Sequence, residues 1–210
     1  RRPDREEIMN SQYPSVEEFQ KTFADIGLEL GKVVVGQQKP ISYLLTAIFA
    51  GGHVLLKGFP GLGRTLIAKS LADVMGLSYG RIQFTPDLLP TDITGTEVLE
   101  NEEKGGGRHF HFFKGPVFAN LVLADEVNRS PARTQAALLE AMQEKQVSMG
   151  GKTYFLPKPF ILIATQNTLD SEGVFALGEA QVDRFLGMIE QDFPSEREEK
   201  AIVCRTTGLY

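Results

Sequence analysis

The stretch GFPGLGRTL, residues 58–66, follows directly on HVLLK (53–57) and leads into IAKSLADVM (67–75). HVLLK is too short and too apolar for anything but a buried strand. Beyond the glycines, Ile67, Leu71 and Val74, with Ala68, Ala72 and Met75 beside them, predict a nearly all-round apolar helix that must be buried. Between strand and helix, Gly58, Gly63 and Thr65 match the pattern G-x-x-x-x-G-K-[ST], while Arg64 stands where that pattern has lysine. A strand running through such a loop into a helix is the setting of a phosphate cradle. Glycines let backbone N–H groups wrap the anion, and the helix dipole adds a favourable field. Phe59, Pro60, Gly61, Leu62, Gly63, Arg64, Thr65 and Leu66 are therefore candidate nucleotide-binding residues, with the Thr65 hydroxyl a candidate ligand of Mg2+.

Working outward, Ser15 and Glu18 form a capping box, after which Val16, Phe19, Phe23, Ile26 and Leu30 recur at helical spacing. A second helix starts with Pro40 in its first turn, gathers Ile41, Leu44, Leu45, Ile48 and Phe49 on one face, and stops at Gly51 and Gly52. RIQF (81–84), LVLA (121–124), FILIAT (160–165) and FLGMIEQDF (185–193) each read as strands, with helical stretches between most of them. That alternation predicts an α/β fold of three αβα layers around a parallel sheet. Two β-hairpins interrupt it, one through TEVLENEEKGGGRHFHFF (96–113) and one through QVSMGGKTYFL (146–156), folded at Gly150 and Gly151. No linker divides the chain, so residues 1–210 are expected to form a single nucleotide-binding domain, with residues 1–14 a flexible lead-in.

The 210 residues, 42% hydrophobic and 23% charged, suit one well-buried domain. The formal net charge of −5 argues against broad electrostatic binding of nucleic acid, which needs a basic face. Cys204 is the single cysteine, so no internal disulfide can form, and neither a membrane span nor a signal-peptide run is evident. A cytoplasmic location is the expectation. His109 and His111 have the spacing of a strand-borne metal pair, but no third ligand lies near them in sequence.

Phosphoryl chemistry on a phosphate loop needs an acid on a neighbouring strand end, and LVLADE (121–126) supplies two. Asp125 would act through the metal, and Glu126, one residue past the strand, would orient and deprotonate an attacking water. Together with ATQN (164–167) and DRF (183–185), these motifs resemble the AAA+ ATPases, and the longer segments resemble the MoxR branch of that family. VVGQQ, GGHVLLKGFPG, RIQFTPDLLPTDITGTEV, GPVFANLVLADEVNRSPARTQAALLEAMQEKQVSMGGKTYFLPKPFILIATQN, EGVFALGEAQVDRF and FPSEREE carry the likeness from Val34 to Glu199. The resemblance implies ATP or ADP with Mg2+ as ligands, and assembly into a homo-oligomeric ring, typically a hexamer. It also implies a chaperone-like role on protein complexes, often with partners bearing a von Willebrand A domain. Asn167 matches the family's polar sensor, Arg184 its arginine finger acting on a neighbouring subunit's nucleotide, and Arg129 is a second candidate for an intersubunit contact. Val35 and Gly36 match the stretch set against adenine. The two hairpins correspond to insertions of this branch, one in the family's second helix and one before the sensor strand, where they face the ring's pore or its partners.

The sequence departs from the family in three places. At Arg64 the positive charge survives, but a planar fork replaces a compact point charge. Lys57 and Lys69 end a strand and lie a turn into the helix, so neither is placed to substitute. The family has prolines where this chain has Thr168, Ala176 and Gly178, which loosens the loop before Arg184. The chain is also expected to lack the small helical lid that in the family adds another arginine. Two functions follow as expectations: an ATPase, or a nucleotide-dependent switch or assembly module whose hydrolysis is impaired by Arg64.

Overall fold

The structure, a computed structural model, describes residues 14–101, 108–168 and 174–208; most of the expected lead-in at 1–14 and the turn of the first hairpin lie outside the described residues. Helix α1 (Val16–Val33) opens with the capping box, Glu18 N–H donating to Ser15 Oγ at 3.2 Å and Ser15 N–H to Glu18 Oε2 at 2.8 Å. Helix α2 is Gln38–Phe49. The Phe49 ring at its end meets Phe19 edge-on, with 5.0 Å between centroids, and so pins the two helices together.

Strand β1 (Val54–Gly58) then enters the sheet, followed by α3 (Arg64–Met75), β2 (Tyr79–Gln83) and the short α4 (Pro90–Thr94). The first hairpin, β3 (Gly95–Asn101) and β4 (Arg108–Lys114), precedes β5 (Leu121–Asp125) and α5 (Ala132–Glu144). The second hairpin, β6 (Gln146–Met149) and β7 (Lys152–Phe155), leads to β8 (Ile161–Asn167), α6 (Glu179–Val182), β9 (Gly187–Gln191) and α7 (Glu196–Thr207). The main sheet is parallel, in the order β2-β5-β8-β1-β9.

Each central strand is apolar on both sides, and alternation sorts its side chains between two cores. Val54, Leu56, Leu121, Leu123, Ile161 and Ile163 pack under α1, α2 and α3. Leu55, Val122, Ala124, Leu162 and Ala164 face the opposite way, against Leu138, Leu139 and Met142 of α5. The expected three layers are thus present. Helix α3 is buried on one face only: Ile67, Ala68, Leu71 and Ala72 are covered, but Leu66 and Val74 are 46% and 38% exposed. A helix laid on a sheet has one side to bury, and the apolar residues on its flank do not change that geometry. One helix went unread in the sequence, α7 beyond the last expected strand; it begins at a second box, Ser195 N–H donating to Glu198 Oε2 at 2.7 Å.

The hairpins form outside the main sheet and lie against each other. Phe112 of β4 stacks on Tyr154 of β7 with centroids 4.1 Å apart and planes 26° from parallel. The Glu97 carboxylate of β3 sits over the β6–β7 turn so closely that a Cβ at Gly150, whose φ is +56°, would collide with it. His109 and Glu100 face each other across the first hairpin at 3.7 Å. Among the described residues no three metal-ligating side chains converge, and no helix is long and apolar enough to cross a membrane.

His53, at the mouth of β1, is buried and uses Nδ1 as an acceptor for the Leu162 N–H at 3.0 Å, extending the β1–β8 pairing through a side chain. Burial first, and then the Lys145 ammonium, lower its pKa from 6.5 to about 4, against the opposing pull of a hydrogen bond with the Met142 backbone. The unfolded chain therefore takes up this proton at a higher pH than the folded one. The contribution is fully present above pH 6.5 and is lost as the pH falls toward 4. Between pH 7 and pH 5 the native protein should lose about 2 kcal/mol more unfolding free energy than a His53→Asn variant, measured by urea titration. Equal losses in the two proteins would assign the effect to other groups.

Candidate functional site

The parallel register brings five strand ends to one edge of the sheet. Gly58 lies opposite both Asn167 and Gln191, and Gln83 lies opposite Asp125. Because the strand interiors are apolar on both faces, these carboxyl ends are where polar side chains can stand, and ligands of open α/β sheets bind outside them.

The glycine loop spans Gly58 to Gly63. Gly58 has φ +154°, and a Cβ there would stand 2.7 Å from the Gln191 carbonyl oxygen and 2.9 Å from Arg64 Nη2. Only glycine allows β1, β9 and the arginine to approach so closely. Gly63, at φ +73°, turns the chain into α3, and no side chain caps that helix, so its first N–H groups are open to an anion. The Phe59 ring stacks on Phe193 at 4.7 Å, fastening the start of the loop to the segment after β9. Pro60, Gly61 and Thr65 are exposed, while Leu62 is buried.

Arg64, the first residue of α3, is only 8% exposed. Its Nε donates to Gln191 Oε1 at 2.7 Å, its Nη1 reaches the Gln166 carbonyl at 3.5 Å, and its buried Nη2 has no protein partner. Burial lowers the guanidinium pKa, and the Asp125 and Glu126 carboxylates oppose that shift. An arginine stays charged under such conditions, so the loop contains a buried cation with one N–H face unused. An unpaired buried ionic donor is costly. A nucleotide phosphate suits that unpartnered N–H in charge and in hydrogen-bonding type.

Across the sheet edge stand the two acids. Thr165 donates its hydroxyl to Asp125 Oδ1 at 2.7 Å and accepts the Glu126 N–H at 2.8 Å, tying β8 to the end of β5. Arg81 Nη2 binds Asp125 Oδ2 at 2.8 Å. Glu126 adopts the left-handed conformation, φ 59° and ψ 48°, rare for a residue with a side chain. Its Oε2 accepts from Gln83 Nε2 and from Arg129 Nη1, each at 3.2 Å. Arg129 is thus engaged by Glu126 of its own chain. The donor set of Thr65 hydroxyl and Asp125 carboxylate is hard oxygen, the kind Mg2+ prefers.

Asn167 is buried at the end of β8, its carbonyl accepting from Asn128 Nδ2 at 3.4 Å. Buried Gln135 holds the following loop by donating to the Val127, Ser130 and Phe175 carbonyls at 3.0 to 3.2 Å. Arg184 is exposed just before buried Phe185. Beside the loop, a cavity of about 190 Å3 is lined by Val35, Gln37, Leu62, Leu66, Pro194 and Ile202 among others. Gly36 turns there at φ +74°, under the Glu198 side chain. The loop residues, the acid pair, Asn167, Val35 and Gly36 were named from the sequence. Gln191, Gln37, Thr165, Gln83 and Arg81 were not; Gln191, Thr165 and Gln83 offered only the signal of a polar side chain in the last residues of a strand, Arg81 lies inside β2, and Gln37 precedes α2.

A family model described as the ATPase family associated with various cellular activities matches residues 53–187. Chaperone MoxR1 of Mycobacterium tuberculosis is 48% identical over 177 residues, covering 84% of this chain and 46% of that protein. Protein MoxR of Paracoccus denitrificans is 33% identical over 196 residues, covering 90% of this chain and 56% of its own length. The crystal structure of a presumed ATPase from Cytophaga hutchinsonii superposes with a TM-score of 0.80 at 48% identity, over 91% of this chain and 57% of that one. The chain spans about half the length of these relatives. With the phosphate loop, the paired acids and the parallel αβα sheet in their expected order, this chain belongs to the MoxR branch of the AAA+ ATPases.

Proposed function

We propose that this chain binds ATP with Mg2+ at interfaces between copies of itself and uses hydrolysis to remodel or mature protein complexes. The observation that carries the reading is the buried, unpartnered Nη2 of Arg64 beside the phosphate loop, within electrostatic reach of Asp125 and Glu126. A cation so placed answers a phosphate; acids so placed answer a metal and a water. The chaperone name of the Mycobacterium tuberculosis relative supports the protein-remodelling part. A homo-oligomeric ring, most simply a hexamer, and von Willebrand A domain partners belong to the same proposal.

In this reading the backbone N–H groups of Gly61 to Thr65 bind the phosphates, and the cavity beside Val35 takes the base. Thr65 and Asp125 would hold Mg2+, which when bound neutralises phosphate charge. Glu126 accepts the proton of the attacking water, its carboxylate aimed by Gln83 and its backbone by Thr165. Asn167 helps orient that water. Arg184, exposed on its own chain, extends to the neighbour's nucleotide and stabilises charge in the transition state.

A second reading, a nucleotide-dependent switch or assembly module with impaired turnover, is favoured by one feature. Arg64 is tethered through Nε and cannot follow a moving phosphate as a lysine on a free stem would. Turnover and binding separate the two. Titration with a fluorescent ATP analogue and Mg2+ should saturate in the micromolar range, roughly −8 kcal/mol; no binding at millimolar nucleotide would remove both readings. Arg64→Lys should raise turnover roughly 10- to 1000-fold, and an unchanged rate would mean that Arg64 already serves as the lysine does.

Glu126→Gln should abolish hydrolysis with binding retained, since the amide keeps the shape but accepts no proton. Arg184→Ala should also silence hydrolysis. Mixed together, the two variants should regain turnover, because an Arg184→Ala protomer keeps its own Glu126 and can receive the finger from a Glu126→Gln neighbour. Where the starting rate is too low to follow, the mixture is assayed on the Arg64→Lys background. Verified assembly without recovery would show that Arg184 does not act across the interface.

A further inference from the structure

The substitution of arginine for lysine in the loop is matched by a buried partner elsewhere in the fold. Gln191, at the last position of β9, is 3% exposed, and its Oε1 receives the Arg64 Nε–H at 2.7 Å. Its own Nε2 donates to Gln37 Oε1 at 3.1 Å, and Gln37 is likewise buried. The donor logic allows one orientation. Arginine has no acceptor, so Gln191 must present oxygen to it, which turns the amide NH2 toward Gln37.

We infer that Gln191 is a positioning residue for nucleoside polyphosphates: through the Gln37–Gln191–Arg64 chain it holds the loop arginine in the orientation that aims Nη2 at a phosphate. The inference rests on the nucleotide reading above. Its force comes from the planarity of the guanidinium. Once Nε is fixed on Gln191 and Nη1 faces the Gln166 carbonyl, the direction of Nη2 is no longer free. That nitrogen is buried, has no protein partner, and lies beside Gly58, the first glycine of the phosphate loop. Two of the three arginine nitrogens are thus turned to the protein and the third is kept for a ligand. A lysine at this position would carry a point charge with freely turning donors and would need no such holder. Gln37 also lines the cavity beside Val35, so the hydrogen-bonded chain runs from the wall of the base cavity to the phosphate contact.

The test is a double-mutant cycle read by binding rather than turnover. ATP and adenosine affinities are measured by calorimetry for the native protein, Gln191→Leu, Arg64→Lys and the double variant, with each protein's unfolding temperature recorded. Gln191→Leu should weaken ATP about tenfold on the native background and less than about twofold on the Arg64→Lys background, with adenosine changed less than about twofold in both. Where the leucine variant does not fold, Gln191→Asn replaces it; the shorter amide withdraws the acceptor from Nε and should weaken ATP in the same direction. An equal loss of ATP affinity on both backgrounds would overturn the inference, because Gln191 would then be supporting the fold and not the arginine. So would an equal loss for adenosine, or no loss at all. If the native protein binds adenosine but gains nothing from the phosphates, the inference falls while the base cavity stands. Failure to bind either ligand removes the nucleotide reading and this inference together.

Discussion

The central strands of the sheet are covered on both faces, and from that constraint the rest of the molecule follows. Alternating side chains on β1, β5 and β8 all go into apolar cores, one under α1, α2 and α3 and the other against α5. Polar chemistry is excluded from the strand interiors, where an unpaired group would lose its water without compensation. It collects at the carboxyl ends, which parallel pairing brings level: Gly58, Gln83, Asp125, Asn167 and Gln191 come to one edge. The site is a by-product of a sheet that has nowhere else to put polar groups.

At that edge, three arginines stand with two carboxylates. Arg64 stands on one side, Asp125 and Glu126 on the other, with Arg81 on Asp125 and Arg129 on Glu126. Thr165 links the two acids through its single hydroxyl, accepting from one residue's backbone and donating to the other's carboxylate. The left-handed Glu126 is held in a sparsely populated conformation by these contacts, which keeps its carboxylate at the strand end instead of in the following turn.

The hairpins add a second body connected to the same strands. Stacking of Phe112 on Tyr154 and the seating of Glu97 over Gly150 join two insertions that are separate in sequence. One hairpin leads into β5 and the other into β8, which carry Asp125 and Asn167.

The linear order of residues was sufficient for the loop, the strands and the acids, because each is a local pattern: a period of two or of about 3.6, glycines where the backbone must turn, an acid immediately after an apolar run. It also marked Asn167 and Arg184 through their resemblance to a known family. What escaped it depends on contacts between distant segments. Val74 read as buried, but a helix on a sheet covers one side only, and which side is decided by the sheet. Arg64 read as a charge of altered shape at the phosphates. Only the folded chain sets β9 beside β1, so that Gln191, distant in sequence, meets that guanidinium, takes up its Nε and leaves one buried nitrogen unpaired. A single glutamine at a strand end carries no pattern in sequence; its role is created when parallel pairing brings that end level with the glycine loop.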